Sequence, residues 1–314
     1  MTRSPRRRRV VVVGDLVTDV VAVTAHPPSV GTDTPARIQL TGGGQAANTA
    51  AWLATCGVPV TLVATVGDDA AGEQRCAELA AIGVDCAVRP VAGMATGTLV
   101  VLATGTERTM LTDRGAADQL RWQDVAQALA TYPDTTHLHL SGYPLLSPGP
   151  RAAARQALAT ARRHALSTSV DAASAAPLRQ VGAETFCTWV RGVDLLLANQ
   201  DEAAALAGES ITMADPASLA GVARLQEVAT AVVVKQGADG AVWLDSTGAM
   251  VSVPAAPVEP AAVVDPTGAG DAFAAGLLAA WLDGADPAAA LAAGAALGAQ
   301  AVLSPGARPV DPHR

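Results

Sequence analysis

The chain has 314 residues, 50% of them hydrophobic but only 3% aromatic, and a formal net charge of −8 at pH 7. That length allows a sizeable core of Ala, Val and Leu, which suits helices packed closely on a parallel sheet. The acidic balance argues against a nucleic-acid partner, and no run of about 20 apolar residues is free of charges and turn residues, so no membrane span is expected.

In chain order, a basic run, Arg6 to Arg9, precedes Val10 to Val13. The apolar run is too short for a signal peptide, Asp15 and Asp19 interrupt it, and no small-residue cleavage site follows. Residues 1–9 therefore read as a solvated tail. Cys56, Cys76, Cys86 and Cys187 form no Cys-x-x-Cys pair and no secreted framework, so a reduced, cytoplasmic setting is expected.

Val10 to Val13 reads as a buried first strand that delivers Asp15 at its end. Val17 to Val23 is a second strand, broken by His26-Pro27-Pro28. A helix is expected over Ala46 to Thr55, a strand over Val60 to Ala64, and a helix over Ala70 to Ala81 closed by Gly83. Thr98 to Ala103 and Arg108 to Thr112 flank Thr104-Gly105-Thr106, a hairpin signal. Then follow a helix near Trp122 to Ala130, a strand at His137 to Leu140, a helix at Pro150 to His164, and a strand from Ser167 ending on Asp171.

The second half repeats the alternation. Helices are expected over Glu184 to Val190, Glu202 to Ala207 and Ala217 to Gln226, with strands at Asp194 to Leu197, Val232 to Val234 and Ala241 to Leu244. Ala269 to Leu282 and Pro287 to Val302 are the last helices. Strands joined by long helical crossovers imply a parallel sheet in a single α/β domain over 1–314. The segments within about 17–40 and 96–114 break that rhythm and read as a small β-sheet lid.

Several motifs carry chemistry. Gly42-Gly43-Gly44-Gln45-Ala46-Ala47-Asn48 opens a helix, as a plain turn or as backbone laid against a polar ligand. Asn199-Gln200-Asp201-Glu202 follows a strand, and alone it is a capping arrangement. Lys235-Gln236-Gly237 with Gly240 alone is a hairpin loop. Asp265-Pro266-Thr267-Gly268-Ala269-Gly270-Asp271 runs into a helix. Amides at that helix N-terminus favour an anion, and Asp271 is either a helix-start carboxylate or a base beside the anion. His137 and His139 would share one strand face, with no third ligand to make a metal site. No Gly-x-x-x-x-Gly-Lys-Ser/Thr loop, dinucleotide fingerprint or Gly-x-Ser-x-Gly elbow occurs.

Taken together and in this order, these pieces resemble the ribokinase-like (PfkB) carbohydrate kinases, from Val10 to Val310. The resemblance implies a three-layer α/β/α sandwich with a mostly parallel central sheet and a small β-sheet lid. It implies transfer of the ATP γ-phosphate to a hydroxymethyl group of a sugar or nucleoside. Carried over, Asp271 is the general base, and Gly268, Ala269 and Gly270 form the anion hole. Asp15, Gly43, Gly44 and Asn48 hold the acceptor. Asn199 and Glu202 order the Mg²⁺–phosphate assembly, Glu202 through water, and Lys235, Gly237 and Gly240 line the nucleotide. Asp265 and Thr267 take the place beside a monovalent cation, which suggests K⁺.

Acceptor choice is the thinnest part of the reading. Arg108 and Arg114 on the lid hairpin read first as a charged, exposed strand face, and otherwise as contacts to an anionic or polyhydroxylated substrate; Arg114 is carried as a candidate. Low aromatic content disfavours a nucleoside, although Tyr143 follows a strand near the expected site. A small carbohydrate is the expected acceptor, a nucleoside or pseudouridine the alternative within the fold, and a non-catalytic sugar binder or a dehydrogenase the alternatives outside it. A homodimer through the lid is the expected assembly.

Overall fold

A computed structural model describes residues 9–104, 107–208 and 224–309. The chain opens with β1 (Arg9–Val13), β2 (Val17–Thr24), β3 (Ala36–Gly43), α1 (Gln45–Thr55), β4 (Val60–Gly67), α2 (Ala70–Ala81) and β5 (Val84–Val91). Next come β6 (Thr98–Thr104), β7 (Glu107–Asp113), α3 (Trp122–Thr131), β8 (Thr135–Ser141), α4 (Tyr143–Leu146), α5 (Arg151–Arg163) and β9 (Ser167–Asp171). The remainder is α6 (Ala175–Val181), α7 (Ala183–Val190), β10 (Val193–Asn199), α8 (Gln200–Ala207), β11 (Ala229–Lys235), β12 (Ala241–Asp245), β13 (Met250–Val253), α9 (Ala269–Leu282) and α10 (Pro287–Ala301).

Among the described residues, nine strands form one sheet in the order β13-β12-β11-β10-β9-β8-β1-β4-β5. The pairings from β11 to β5 are parallel, and β12 and β13 add an antiparallel edge. Side-chain alternation along each strand supplies both faces of this sheet. Val11, Val13, Leu138, Leu140, Val170 and Leu196 bury against α3, α5, α7 and α8. Val10, Val12, Leu62, Leu195 and Leu197 bury against α1, α9 and α10. Two apolar faces with a helical layer on each make the expected sandwich.

The lid is a four-stranded sheet in the order β3-β2-β6-β7. Its register places Leu40, Val20, Val100 and Leu111 in one row, and Ile38, Ala22, Leu102 and Thr109 in a second row on the same face. Ile38, Leu40 and Leu111 are more than half exposed there.

Several local expectations change. Arg9 is not part of a solvated tail: it starts β1, donates to Thr61 Oγ1 at 2.9 Å, and pairs with Asp85 and Asp134 while stacking on Tyr132. Two acidic partners and an aromatic face hold its guanidinium against the sheet end; residues 1–8 lie outside the described residues. β5 and β13 escape the pattern reading, because Asp85, Arg89 and Pro90 blur the first and the second is only four residues long. The helix expected over Ala217 to Gln226 falls largely outside the described residues, and Leu225–Glu227 form a 3₁₀ turn. His137 and His139 are buried polar links: both ring nitrogens of His137 and Nδ1 of His139 bond Ser167 and Ser169 at 2.7–2.8 Å. Burial pushes these imidazoles down to about 3 and about 4, so they stay neutral at physiological pH. Among the described residues no helix is long and apolar enough to cross a membrane.

Candidate active site

The parallel strands deliver their polar residues at their C-terminal ends, where open α/β sheets bind ligands. Asp15 follows β1, Ser141 ends β8, Asp171 ends β9, Asn199 ends β10 and Lys235 ends β11. The same edge receives the N-termini of α1 and α9, so helix-start amides and strand-end carboxylates converge.

Gly44 sits at the start of α1 with φ 100°, and a Cβ there would fall 2.5 Å from the Asp15 carbonyl oxygen. Only glycine fits this turn. The turn lets Ala46 N–H donate to Asp15 Oδ1 at 3.3 Å, which ties the acidic residue to the helix start. Asp15 Oδ2 lies 3.6 Å from Arg114 Nη2. Arg114 follows lid strand β7, bonds Asp118 Oδ1 at 3.2 Å and lies 4.8 Å from the Tyr143 ring centre. Its side chain is only 18% exposed. The exposed-face reading of Arg114 therefore fails: the aromatic ring and two carboxylates draw it inward to the lid–body junction. Arg108's side chain lies outside the described set.

Asp271 stands in the first turn of α9. Gly268 precedes that helix in the left-handed region, φ 78°, and a Cβ on it would lie 2.5 Å from Ala307. Ala269 N–H donates to Pro266 O at 3.3 Å. Gly270 and Asp271 lie in the opening turn of the helix, where backbone N–H groups lack intrahelical acceptors. Asn48 Nδ2 donates to Asp271 Oδ2 at 2.9 Å. Burial pushes the Asp271 carboxyl up to about 8; Asp171 and Asp15 add to the rise, while Asn48 and Lys235 oppose it.

Lys235 Nζ bonds Asp171 Oδ2 at 2.6 Å and would lie 3.4 Å from a Cβ placed on Gly270. The lysine is thus aimed at the start of α9. Gln45 Nε2 donates to Asp171 Oδ1 at 2.9 Å and its Oε1 accepts from Ser141 at 2.6 Å. Asn199 and Glu202 form a reciprocal capping box: Asn199 N–H donates to Glu202 Oε2, and Glu202 N–H to Asn199 Oδ1, both at 2.8 Å. Glu202 is buried, and burial with the nearby Asp171 charge pushes it up to about 7.

Beyond Lys235 opens a cavity of about 620 Å³ lined by Gly237, Gly240, Pro257, Val263, Gly270 and Phe273, among others. Its walls are mostly apolar and one end is Gly270. Asp265 lies behind the same turn, its carboxylate accepting from Thr267 N at 2.9 Å and Gly306 N at 3.0 Å.

The structure thus gathers Asp15, Gly44, Asn48 and Arg114 on one side of Asp271, and Lys235, Gly237 and Gly240 on the other. Asp171, Gln45 and Arg308 were missed. Asp171 had a signal, since it ends a strand as Asp15 follows one. Arg308 had none: it lies on an irregular C-terminal segment, yet donates to Gly43 O at 2.9 Å and Asn48 Oδ1 at 3.3 Å.

The pfkB family carbohydrate kinase model matches residues 7–314. An ATP-dependent ribose-1-phosphate kinase from Halopiger xanaduensis is 32% identical over 269 residues, 85% of this chain and 82% of the relative. The adenosine kinase of Sinorhizobium meliloti superposes with a TM-score of 0.80 at 25% identity, covering 97% of each chain. An E. coli protein assigned as a ribokinase II, solved with ATP and Mg²⁺, superposes with a TM-score of 0.81 at 25% identity, covering 96% of this chain and 94% of the other.

Proposed function

The chain belongs to the pfkB family of carbohydrate kinases, and from that premise we propose that it transfers the γ-phosphate of ATP to a hydroxymethyl group of a small sugar, with Asp271 as the general base. That it is a phosphotransferase follows from the family. The observation that carries the finer reading is the position of Asp271: a half-buried carboxylate in the first turn of a helix, hydrogen-bonded to Asn48 after the glycine turn and one residue from Gly270 at the wall of an apolar cavity.

Asp271 takes the proton from the acceptor hydroxyl. The oxygen then forms its bond to the γ-phosphorus as the bond to the β–γ bridging oxygen breaks, and ADP leaves. Amides at the start of α9 face the charge on the phosphoryl group, and the Lys235 ammonium stands beside them. Asp15, Asn48 and the Gly43–Gly44 turn hold the sugar hydroxyls. The base of ATP fits the apolar cavity, with Gly237 and Gly240 at its wall.

Magnesium fits the charge on the nucleotide side. Asp171 and Glu202 both act on the single Lys235 ammonium, and burial pushes Glu202 up toward its neutral form. That surplus of negative charge suits a divalent cation. Glu202 and Asn199 would order a Mg²⁺ through water, since that ion keeps several waters and is bound by few protein carboxylates. When bound, the ion neutralises charge on the phosphates. Asp265 and Thr267 offer one carboxylate and neutral oxygens, a donor set of single charge suited to K⁺.

A second reading of the acceptor has a specific observation behind it. Arg114 lies beside Asp15, and a relative with 32% identity is a ribose-1-phosphate kinase. An acceptor that carries an anionic group would meet that guanidinium. The apolar face of the lid is the surface on which we place a homodimer.

The test is an ATP-consumption assay with Mg²⁺ and K⁺ over ribose, ribose 1-phosphate, fructose, 2-keto-3-deoxygluconate, adenosine and pseudouridine. Turnover on a sugar or sugar phosphate supports the reading. Turnover confined to a nucleoside moves it to the nucleoside kinases, and sugar binding with no turnover on any acceptor refutes it.

A further inference from the structure

Asn48 meets Asp271 through one end of its amide, and an amide can be turned either way round. With Nδ2 forward it donates to an ionised carboxylate. With Oδ1 forward it can only accept, which suits a protonated Asp271. The torsion that interconverts the two is broad and nearly two-fold, so the side chain needs a second partner to choose.

Arg308 is that partner. Its guanidinium has five donors and no acceptor, so only Asn48 Oδ1 satisfies it. Arg308 Nε donates to that oxygen at 3.3 Å, and Nη2 donates to Gly43 O at 2.9 Å. Nη1 lies 3.6 Å from Glu78 Oε2, and a Cβ on Gly42 would fall 2.0 Å from it, so the fork lies flat against the glycine turn. The backbone that carries Arg308 is pinned from both sides. Ala307 O accepts from Trp52 Nε1 at 3.0 Å, and Gly306 N–H donates to Asp265. Burial presses the guanidinium down to about 10, so it remains charged at neutral pH.

We propose that Arg308 is a positioning residue: it fixes the orientation of the Asn48 amide and, through it, holds Asp271 ready to accept a proton. This rests on the reading of Asp271 as the base. The groups that face Asp271 are Asn48 from α1, Lys235 from β11, Asp171 from β9, Asp15 after β1 and Tyr143 from α4. Of these, Asn48 is the one that hydrogen-bonds the Asp271 side chain among the described residues, through an amide that can present either a donor or an acceptor, and Arg308 decides which.

The experiment is the pH profile of kcat/KM for the acceptor in Arg308→Gln, Arg308→Lys, Asn48→Ala and the double variant Asn48→Ala/Arg308→Gln. A hydrogen bond to an ionised group is worth roughly one pH unit or more, so Arg308→Gln should move the rising limb alkaline by about one unit. Activity on the acid side should fall about tenfold, with the KM for ATP unchanged. Arg308→Lys, with a single ammonium, should recover part of the shift. In the Asn48→Ala background the same Arg308 change should move the limb no further. A folded Arg308→Gln enzyme with an unmoved limb overturns the proposal, as does a full additional shift in the Asn48→Ala background. If Arg308→Gln does not fold, Asn48→Ala decides: an unmoved limb there overturns it. Turnover by Asp271→Asn would instead defeat the base assignment, which separates the two failures.

Discussion

Replacing Asp271 by Asn should make the protein more stable and nearly inactive at once. The carboxyl sits at about 8 in the fold against an ordinary value of 3.8, chiefly through burial. A raised acid pKa means that the folded state resists ionisation, so stability falls as pH climbs from about 4 toward 8. At pH 7 the chain holds a proton that the unfolded chain would have lost some three units lower, which costs about 4 kcal/mol at 1.4 kcal/mol per unit. At pH 5 the same arithmetic leaves below about 2 kcal/mol. The substituted amide of Asp271→Asn would be neutral in both states and still accept from Asn48 Nδ2 through its carbonyl. The variant should therefore melt several degrees higher at pH 7, at roughly 1.5 °C per kcal/mol for a chain of this size, and the gain should shrink toward pH 5. Loss of the base should cut kcat by about a thousandfold or more. Thermal melts at both pH values, with kcat on the best acceptor, check the two halves. Near-normal turnover refutes the base. A melting gain that is absent, or that does not change with pH, refutes the burial argument.

Other outcomes follow from the same geometry. In the wild type, kcat/KM should rise about tenfold per pH unit below pH 8 and level off above it, because the base must be ionised; a flat profile from pH 6 to 9 contradicts this. Gly44→Ala puts a Cβ 2.5 Å from the Asp15 carbonyl at φ 100°, so it should destabilise by about 2 kcal/mol or more and raise the acceptor KM, read by denaturant melts and kinetics. Arg114→Ala should raise the KM for ribose 1-phosphate about tenfold or more while sparing ribose; equal effects on both would show that the guanidinium reads no anion. Leu40→Glu puts a charge in the exposed apolar row of the lid and should convert the proposed dimer to monomer by light scattering, with the monomer's fold intact; a wild-type chain that is monomeric refutes the lid dimer.

Local chemistry made much of the molecule legible from the chain. Val10 to Val13 alternates between two buried faces, so the first strand was legible apart from Arg9 at its start, and the helices over Ala70 to Ala81 and Ala269 to Leu282 matched at both ends. The Asn199–Glu202 box depends on residues three apart, and Gly44 and Gly268 on turns that only glycine tolerates, so these too were visible. What escaped depends on separations that no local pattern records. Asn48 reaches Asp271 across 223 residues, Gln45 reaches Asp171 across 126, and Arg308 reaches Asn48 across 260. The residues at each end of these bonds look like ordinary turn or strand-end residues until the parallel register brings their strand ends to one edge. Burial there then changes what each group is: it raises Asp271 and Glu202, keeps His137 neutral, and draws Arg114 in from the lid. The chain determined which groups were available for chemistry; the packed sheet decided which of them meet, because only tertiary contact sets both their distance and their dielectric surroundings.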